Sequence, residues 1–269
     1  MELTGQKKVH IVPMGYEIDR IELPLKEIGA DRVYLLTDEN ENAVGLRYLE
    51  ELDNRIKKII NPKDFNVLGC PMWDFQNLMS LICELVTKEK MDGNFVYINV
   101  SSGTKLSAIA GTLASLMYGA IPYYAQAEKY NIKYPDIEGG EILGITSGVT
   151  KILQIPSYTI EKPPDELINA LAILFEKGGR MSQKEYIFKL EELGFIEDAT
   201  TSGRGLRKEV TKKGYAKGKR QFFEKLEEKG WAEKKGKGRN SYIEITKEGR
   251  NTFETFIKVA GIEKKHSDG

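Results

Sequence analysis

Ser101-Ser102-Gly103-Thr104-Lys105 places three hydroxyls, a glycine and an ammonium in five consecutive residues. An apolar, β-branched run from Tyr97 to Val100 leads in, and a helical pattern from Leu106 to Tyr118 leads out. A strand that turns into a helix in this way leaves the first N–H groups of the helix unpaired and partly positive, an arrangement that favours phosphate. Lys105 adds a full charge and has little packing reason to be there. The competing reading is that Ser101, Ser102 and Thr104 only cap the helix.

A second loop, Pro13-Met14-Gly15-Tyr16-Glu17-Ile18-Asp19-Arg20, ends the first strand-like run of the chain. Met14, Gly15, Tyr16, Ser101, Ser102, Gly103, Thr104 and Lys105 are the candidate ligand-binding residues. Tyr16 either stacks on a base or belongs to the core. Asp19 and Arg20 either touch a ligand or form the exposed first turn of a helix. Neither G-x-G-x-x-G nor G-x-x-x-x-G-K-[ST] occurs, which argues against a dinucleotide cofactor and an ATP-hydrolysing loop. No cofactor is expected. Two histidines, one of them His266 in the tail, and two cysteines in apolar surroundings (Cys70 and Cys83) give no metal-ligand set.

Alternating elements must carry these loops. Strands are expected at Lys8–Val12, Arg32–Thr37, Phe65–Cys70, Phe95–Val100 and Ile121–Ala125, with short ones near Glu141–Ile145 and Lys151–Ile155. Helices are expected at Glu17–Ile28 with Pro24 bending it, at Glu41–Ile60 capped by Asp38 or Asn40, at Trp73–Lys88 with Asp74 as cap, and at Thr104–Tyr118. Repeated strand–helix–strand units give an α/β fold, a Rossmann-like, doubly wound, mostly parallel sheet. Strands one and four of such a sheet flank the point where strand order reverses, so the two candidate loops should share one crevice.

Pro156 and Lys162-Pro163-Pro164-Asp165 then break the periodicity. The expected organisation is a ligand-binding domain over 1–156, a linker over 157–165, a winged helix-turn-helix over 166–262 and a tail over 263–269. In the second domain Asp165–Glu176 is a helix, and Ser182 with Glu185 is a capping box that opens a helix to about Leu193. A loop follows over Asp198–Gly205, then a third helix over Lys217–Lys229. Strands Trp231–Lys235 and Tyr242–Ile245 flank a basic turn, and a last helix runs from Lys247 to Val259.

Net charge is zero over 269 residues, yet residues 1–155 carry −5 and residues 156–269 carry +5. Between Arg204 and Arg239 the net charge is +9. This concentration points to a polyanion partner for the second half; the alternative is a solvated lysine surface. Lys217, Lys219 and Arg220 are expected at the groove-entering end of a recognition helix, and Lys235, Lys237 and Arg239 on the wing, all candidate DNA contacts. The alternative is a small dimerisation module. No run approaches the length of a membrane span, and the first eight residues lack a signal peptide's apolar core, so a cytoplasmic protein without a membrane partner is expected.

The segments V-H-I-V-P-M-G-Y-E-I-D-R-I at 9–21, D-R-V-Y-L-L-T at 31–37 and I-N-V-S-S-G-T-K at 98–105 resemble CARF domains, the CRISPR-associated Rossmann-fold sensors. With the winged helix behind them, nearly the whole chain resembles the archaeal CARF–winged-helix regulators. The resemblance implies a homodimer that forms one crevice from both copies and binds a cyclic oligoadenylate, most often the tetramer, made during antiviral CRISPR defence. It implies bases and ribose at Met14, Gly15 and Tyr16, phosphate and ribose at Ser102–Lys105, double-stranded DNA as the second partner, and transcription regulation as the output. Some members of that family also cleave their ligand without a metal, by attack of the ribose 2′-oxygen. Lys105 with Ser101 or Ser102 could assist that chemistry, but no strong general base lies near, since His10 is expected inside a strand. No nuclease signature follows the linker.

Overall fold

The β-branched and aromatic runs of the first half form β1 (Lys8–Pro13), β2 (Arg32–Asp38), β3 (Phe65–Cys70), β4 (Phe95–Asn99), β5 (Ile121–Tyr130) and β6 (Thr146–Gln154). The computed structural model describes residues 5–130, 145–156, 158, 160–202, 208–236 and 241–266. These six strands make one sheet in the order β3-β2-β1-β4-β5-β6, parallel except for β6. Strand order reverses between β1 and β4, as expected of a Rossmann-like sheet. Apart from His10, the buried part of β1 is apolar (Val9, Ile11 and Val12 are fully covered) because helices lie on both faces of it.

Between the strands run α1 (Ile18–Ile28), α2 (Ala43–Ile56), α3 (Phe75–Met91) and α4 (Lys105–Tyr118). α1 packs on α2, and α3 on α4. Right-handed crossovers put the two pairs on opposite faces. Ile18, Ile21 and Leu25 of α1 meet Tyr48, Leu52 and Ile56 of α2 over Val12, Val33 and Leu35 of the sheet. Asn42, not Asp38 or Asn40, caps α2, accepting from the N–H groups of Val44 and Gly45 at 2.9 and 3.0 Å. Asp74 caps α3 as expected. β5 runs on past Ala125 to Tyr130 because β6 pairs with it in antiparallel register from Tyr123–Gln154 to Tyr130–Thr146. The expected strand at Lys151–Ile155 is the second half of β6. All but Ile145 of the one expected at Glu141–Ile145 lies outside the described residues.

The chain divides into two units, Met1–Lys162 and Pro163–Gly269. The second unit holds α5 (Asp165–Glu176), β7 (Arg180–Ser182), α6 (Gln183–Glu192), β8 (Thr200–Ser202), β9 (Lys208–Val210), α7 (Lys212–Gly218), a π turn (Lys219–Phe223), α8 (Glu224–Glu228), β10 (Ala232–Lys235), β11 (Tyr242–Ile245) and α9 (Lys247–His266). Strands β10-β11-β7 form an antiparallel sheet. Its core joins Leu167, Leu171 and Leu174 of α5 to Tyr186, Leu190, Phe222, Phe223, Leu226 and Phe253. Helix, strand, two helices and a two-stranded wing is the order of a winged helix.

The recognition helix differs from its expected span. It begins at Lys212 rather than Lys217, capped by Thr211, whose hydroxyl accepts from Gly214 N–H at 2.9 Å. Gly214 lies before the expected span and Gly218 within it. Both are packing glycines: a Cβ on Gly214 would lie 2.1 Å from the Ala199 carbonyl oxygen, and one on Gly218 2.9 Å from Ile187 Cγ1. β8 falls within the loop expected over Asp198–Gly205 and pairs with β9 beyond it in a small hairpin.

Candidate functional site

The loops after β1, β2, β3 and β4 enclose one cleft at the carboxyl edge of the sheet. Its volume is about 540 Å³, and its walls are Met14, Gly15, Tyr16 and Glu17, then Asp38 to Asn42 without Glu39, then Met72 and Trp73, then Gly103 and Thr104, with Ile145 beside them. Of the sequence candidates, Met14, Gly15, Tyr16, Gly103 and Thr104 line it together. The β1 and β4 loops touch through backbone. Gly103 has φ +80°, and a Cβ on Gly15 would stand 2.5 Å from Gly103 N. Larger residues at either position would push the two loops apart.

The hydroxyls of Ser101 and Ser102 point inward. Ser101 Oγ donates to Asn99 Oδ1, which also accepts from Ser101 N–H at 2.8 Å. Asn99 is fully buried and donates to the Arg20 carbonyl at 2.9 Å. Ser102 Oγ donates to the Pro13 carbonyl at 2.7 Å. Ser102 stitches the β4 turn to the β1 turn, Ser101 fastens that turn to Asn99 of its own strand, and neither serine lines the cleft. Thr104 caps α4, accepting from Ser107 N–H at 3.0 Å, and donates to the Met72 carbonyl at 3.3 Å. The cap satisfies one of the orphan donors of α4, while the amides of the first turn lie at its open end. Lys105 stands exposed in that first turn.

Tyr16 stacks on Tyr48 with ring centroids 4.6 Å apart and offers no ring face on that side to a ligand. Its carbonyl accepts from Ile145 N–H at 3.0 Å. Arg20 is buried: its Nε donates to the Ala125 carbonyl at 2.8 Å, and its Nη1 pairs with Glu17 at 2.9 Å. Arg20 therefore positions Glu17 and ties α1 to β5. Burial raises the Glu17 carboxyl above its ordinary value, against the pull of Arg20.

The sequence reading missed the acidic and amide wall. Asp38, Asn40, Glu41 and Asn42 follow β2, and Met72 and exposed Trp73 follow β3. The rule that ligands gather at the carboxyl ends of strands could have found them, since both loops obey it. Among the described residues that line the cleft are three carboxylates (Glu17, Asp38 and Glu41) and no lysine or arginine. Such a wall accepts hydrogen bonds from amino groups. His10 is fully buried on β1, between Tyr97 and Tyr123, with Nε2 against the Gly29 carbonyl at 3.1 Å. Desolvation lowers its pKa to about 4, so it is a neutral core residue, as its strand position implied. Among the described residues no cluster of metal-ligating side chains occurs.

In the winged helix, Lys217 is in the second turn of the recognition helix, and its Nζ donates to the Glu197 carbonyl at 2.8 Å. Lys219 pairs with Glu224 at 3.2 Å, and Arg220 is exposed. Lys235 pairs with Glu233 at 2.8 Å and Glu244 at 3.0 Å. Lys237 and Arg239 lie outside the described residues. The groove-entering end expected at Lys217 is instead occupied by the exposed Lys212 and Lys213.

Residues 8–130 match the family model described as HFX_2341_N:-like, N-terminal, and residues 166–257 match the DUF6293 C-terminal winged helix domain. The chain thus pairs a Rossmann-like sheet with a winged helix, the domain order of the CARF–winged-helix proteins its sequence resembles. It is 29% identical over 196 residues to the uncharacterized protein MJ1513 of Methanocaldococcus jannaschii, covering 64% of this chain and 57% of that one. The chain therefore spans little more than half the length of that relative. Among solved structures it is similar to Enterococcus italicus Csm6 bound to cyclic hexa-2′-fluoro-hexa-dAMP (TM-score 0.39, 16% identity, 45% of this chain and 34% of that one). It is also similar to Can2 from Sulfobacillus thermosulfidooxidans in complex with cyclic tetra-adenylate (TM-score 0.37, 11% identity, 93% and 62%). Among the described residues no helix is long and apolar enough to cross a membrane.

Proposed function

We propose that the chain is a CRISPR-associated transcription regulator: a pair of sheet domains binds a cyclic oligoadenylate, most simply the tetramer, and the winged helix binds DNA. The observation that carries this reading is the Gly15–Gly103 contact, which brings the β1 loop and the N-terminus of α4 to one cleft. Adenine fits the wall. Its amino group can donate to Asp38, Glu41 or the amide oxygen of Asn40, and exposed Trp73 offers a stacking face. The phosphates would then rest on Lys105 and the α4 amides.

A cleft of this size suits one drug-sized guest, and a ring of four nucleotides is several times larger. Two chains about a two-fold axis would offer two such clefts to a ring with matching symmetry. α4 supports pairing, since Ile109 is 51% exposed and Leu106, Leu113 and Leu116 are only partly covered. The inward hydroxyls of Ser101 and Ser102 and the burial of His10 in the sheet favour a sensor over a ligand-cleaving enzyme. Ligand and DNA would influence each other by linkage: a ligand that binds one arrangement more tightly shifts affinity for DNA, and DNA shifts affinity for the ligand equally.

Calorimetry against cyclic and linear oligoadenylates of several sizes, with chromatography of the ligand afterwards, tests the reading. Tight binding of an intact ring supports it. Conversion of the ring to linear products would assign the chain to ligand cleavage, and binding of none would remove the proposal.

A further inference from the structure

The winged helix has a pocket of its own, about 200 Å³ in volume, between α6, the recognition helix and β11. Its walls are apolar and aromatic: Tyr186, Ile187, Tyr215, Ala216, Phe223 and Ile243. Gly218 completes one wall, close against Ile187. The phenol of Tyr186 is already engaged, donating to the Ala170 carbonyl at 3.2 Å, so that ring presents its apolar surface. Polar groups occur only at the rim, where Gln183 and Lys219 stand.

Size and charge decide what such a pocket takes. An apolar cavity of roughly 150 Å³ admits benzene, so about 200 Å³ has room for one substituted ring. Lys219 opens the π turn, and its pair with Glu224 is exposed on both sides, 65% and 41%. An exposed pair of this kind is weakly held, which leaves the ammonium able to turn to an anion at the pocket mouth. The amide of Gln183 can donate to the same anion. We infer that this pocket binds a small monocyclic aromatic acid, its ring among Ile187, Phe223 and Ile243 and its carboxylate on Lys219. The π turn, Lys219–Phe223, supplies two of the pocket residues, and turns of this kind are frequent at functional sites. The guest therefore bears on the helix that carries Lys212 and Lys213, a chemical input separate from the sheet cleft.

The test is a titration of the full chain with benzoate, following the δ1-methyl resonances of Ile187 and Ile243. Saturable shifts of both are expected, with benzylamine giving none. Lys219→Met should weaken benzoate about tenfold and leave toluene binding unchanged. Ala216→Trp, at an exposed wall position, should block both guests. The inference is overturned if benzoate leaves both methyls unmoved, if benzylamine matches it, or if Lys219→Met weakens benzoate and toluene alike. Because Lys219 is exposed, that variant keeps the test decisive even where Ala216→Trp disturbs folding.

Discussion

Gly15 and Gly103 meet backbone to backbone: a Cβ added to Gly15 would come within 2.5 Å of Gly103 N and 3.2 Å of Gly103 Cα. Neither neighbour is a side chain that can rotate away. Gly103 adds a positive φ of 80°, and its own Cβ would lie 2.7 Å from Pro13 Cβ. Gly103→Ala should therefore lose about 1–3 kcal/mol of stability, read as a lower urea midpoint. Gly15→Ala should keep the sheet domain folded but widen the approach of the two loops and abolish ring binding. Unchanged stability and ligand affinity in both variants would show that the two loops have slack.

Lys105 is exposed, and its role in folding is small. Lys105→Ala should reduce affinity for the cyclic ligand by about tenfold or more, the range of a charge-assisted bond to phosphate. Its urea midpoint and its DNA affinity should match the parent chain. Equal ligand affinity would mean that the phosphates lie elsewhere.

Lys212 and Lys213 head the recognition helix, while the Lys217 ammonium donates to the Glu197 carbonyl and Lys235 pairs with both Glu233 and Glu244. Lys212→Ala with Lys213→Ala should weaken DNA binding and flatten the dependence of log K on log salt by about 0.9 for each phosphate left without its lysine. Arg220→Ala should weaken binding with more sequence dependence, as an arginine that reads a base edge does. Lys217→Ala should act chiefly on stability, by freeing the Glu197 carbonyl. A larger salt effect from Lys217 than from the pair at the helix start would contradict this placement.

His10 gives a pH dependence. Its pKa falls from 6.5 to about 4 on folding because burial penalises the imidazolium. Between those values the unfolded chain binds the proton and the folded chain does not, so stability rises with pH across the window and is lost as pH falls through it. The difference corresponds to roughly 3 kcal/mol. His10→Gln should flatten the urea midpoint between pH 6.5 and 4. Glu22 and Glu89, whose paired carboxyls titrate below their ordinary value, add a further loss only at lower pH.

The strands were legible because their β-branched runs are short and bounded by turn residues; β3 and α5 fall where the residues place them. The start of the recognition helix at Lys212 was not legible, since the contacts that Gly214 and Gly218 make with Ala199 and Ile187 are set by tertiary packing. The continuation of β5 depends on a polar antiparallel partner, which no local pattern announces. In the cleft, the glycines and Thr104 were readable from their turn chemistry. Asp38 and Asn40 looked like caps and Trp73 like a helix start, Asn42 lay inside an expected helix, and only the sheet order brings them to the same opening. The serines illustrate the converse: their type suggested phosphate, but buried Asn99 and the Pro13 carbonyl take up their hydroxyls.

The most direct test of the central claim is the stoichiometry of cyclic tetraadenylate binding to the purified full chain, by calorimetry with the mass of the complex measured alongside. One ring per two chains, with binding lost in Gly15→Ala, is the predicted result. No binding, or one ring on a single chain, would contradict the account.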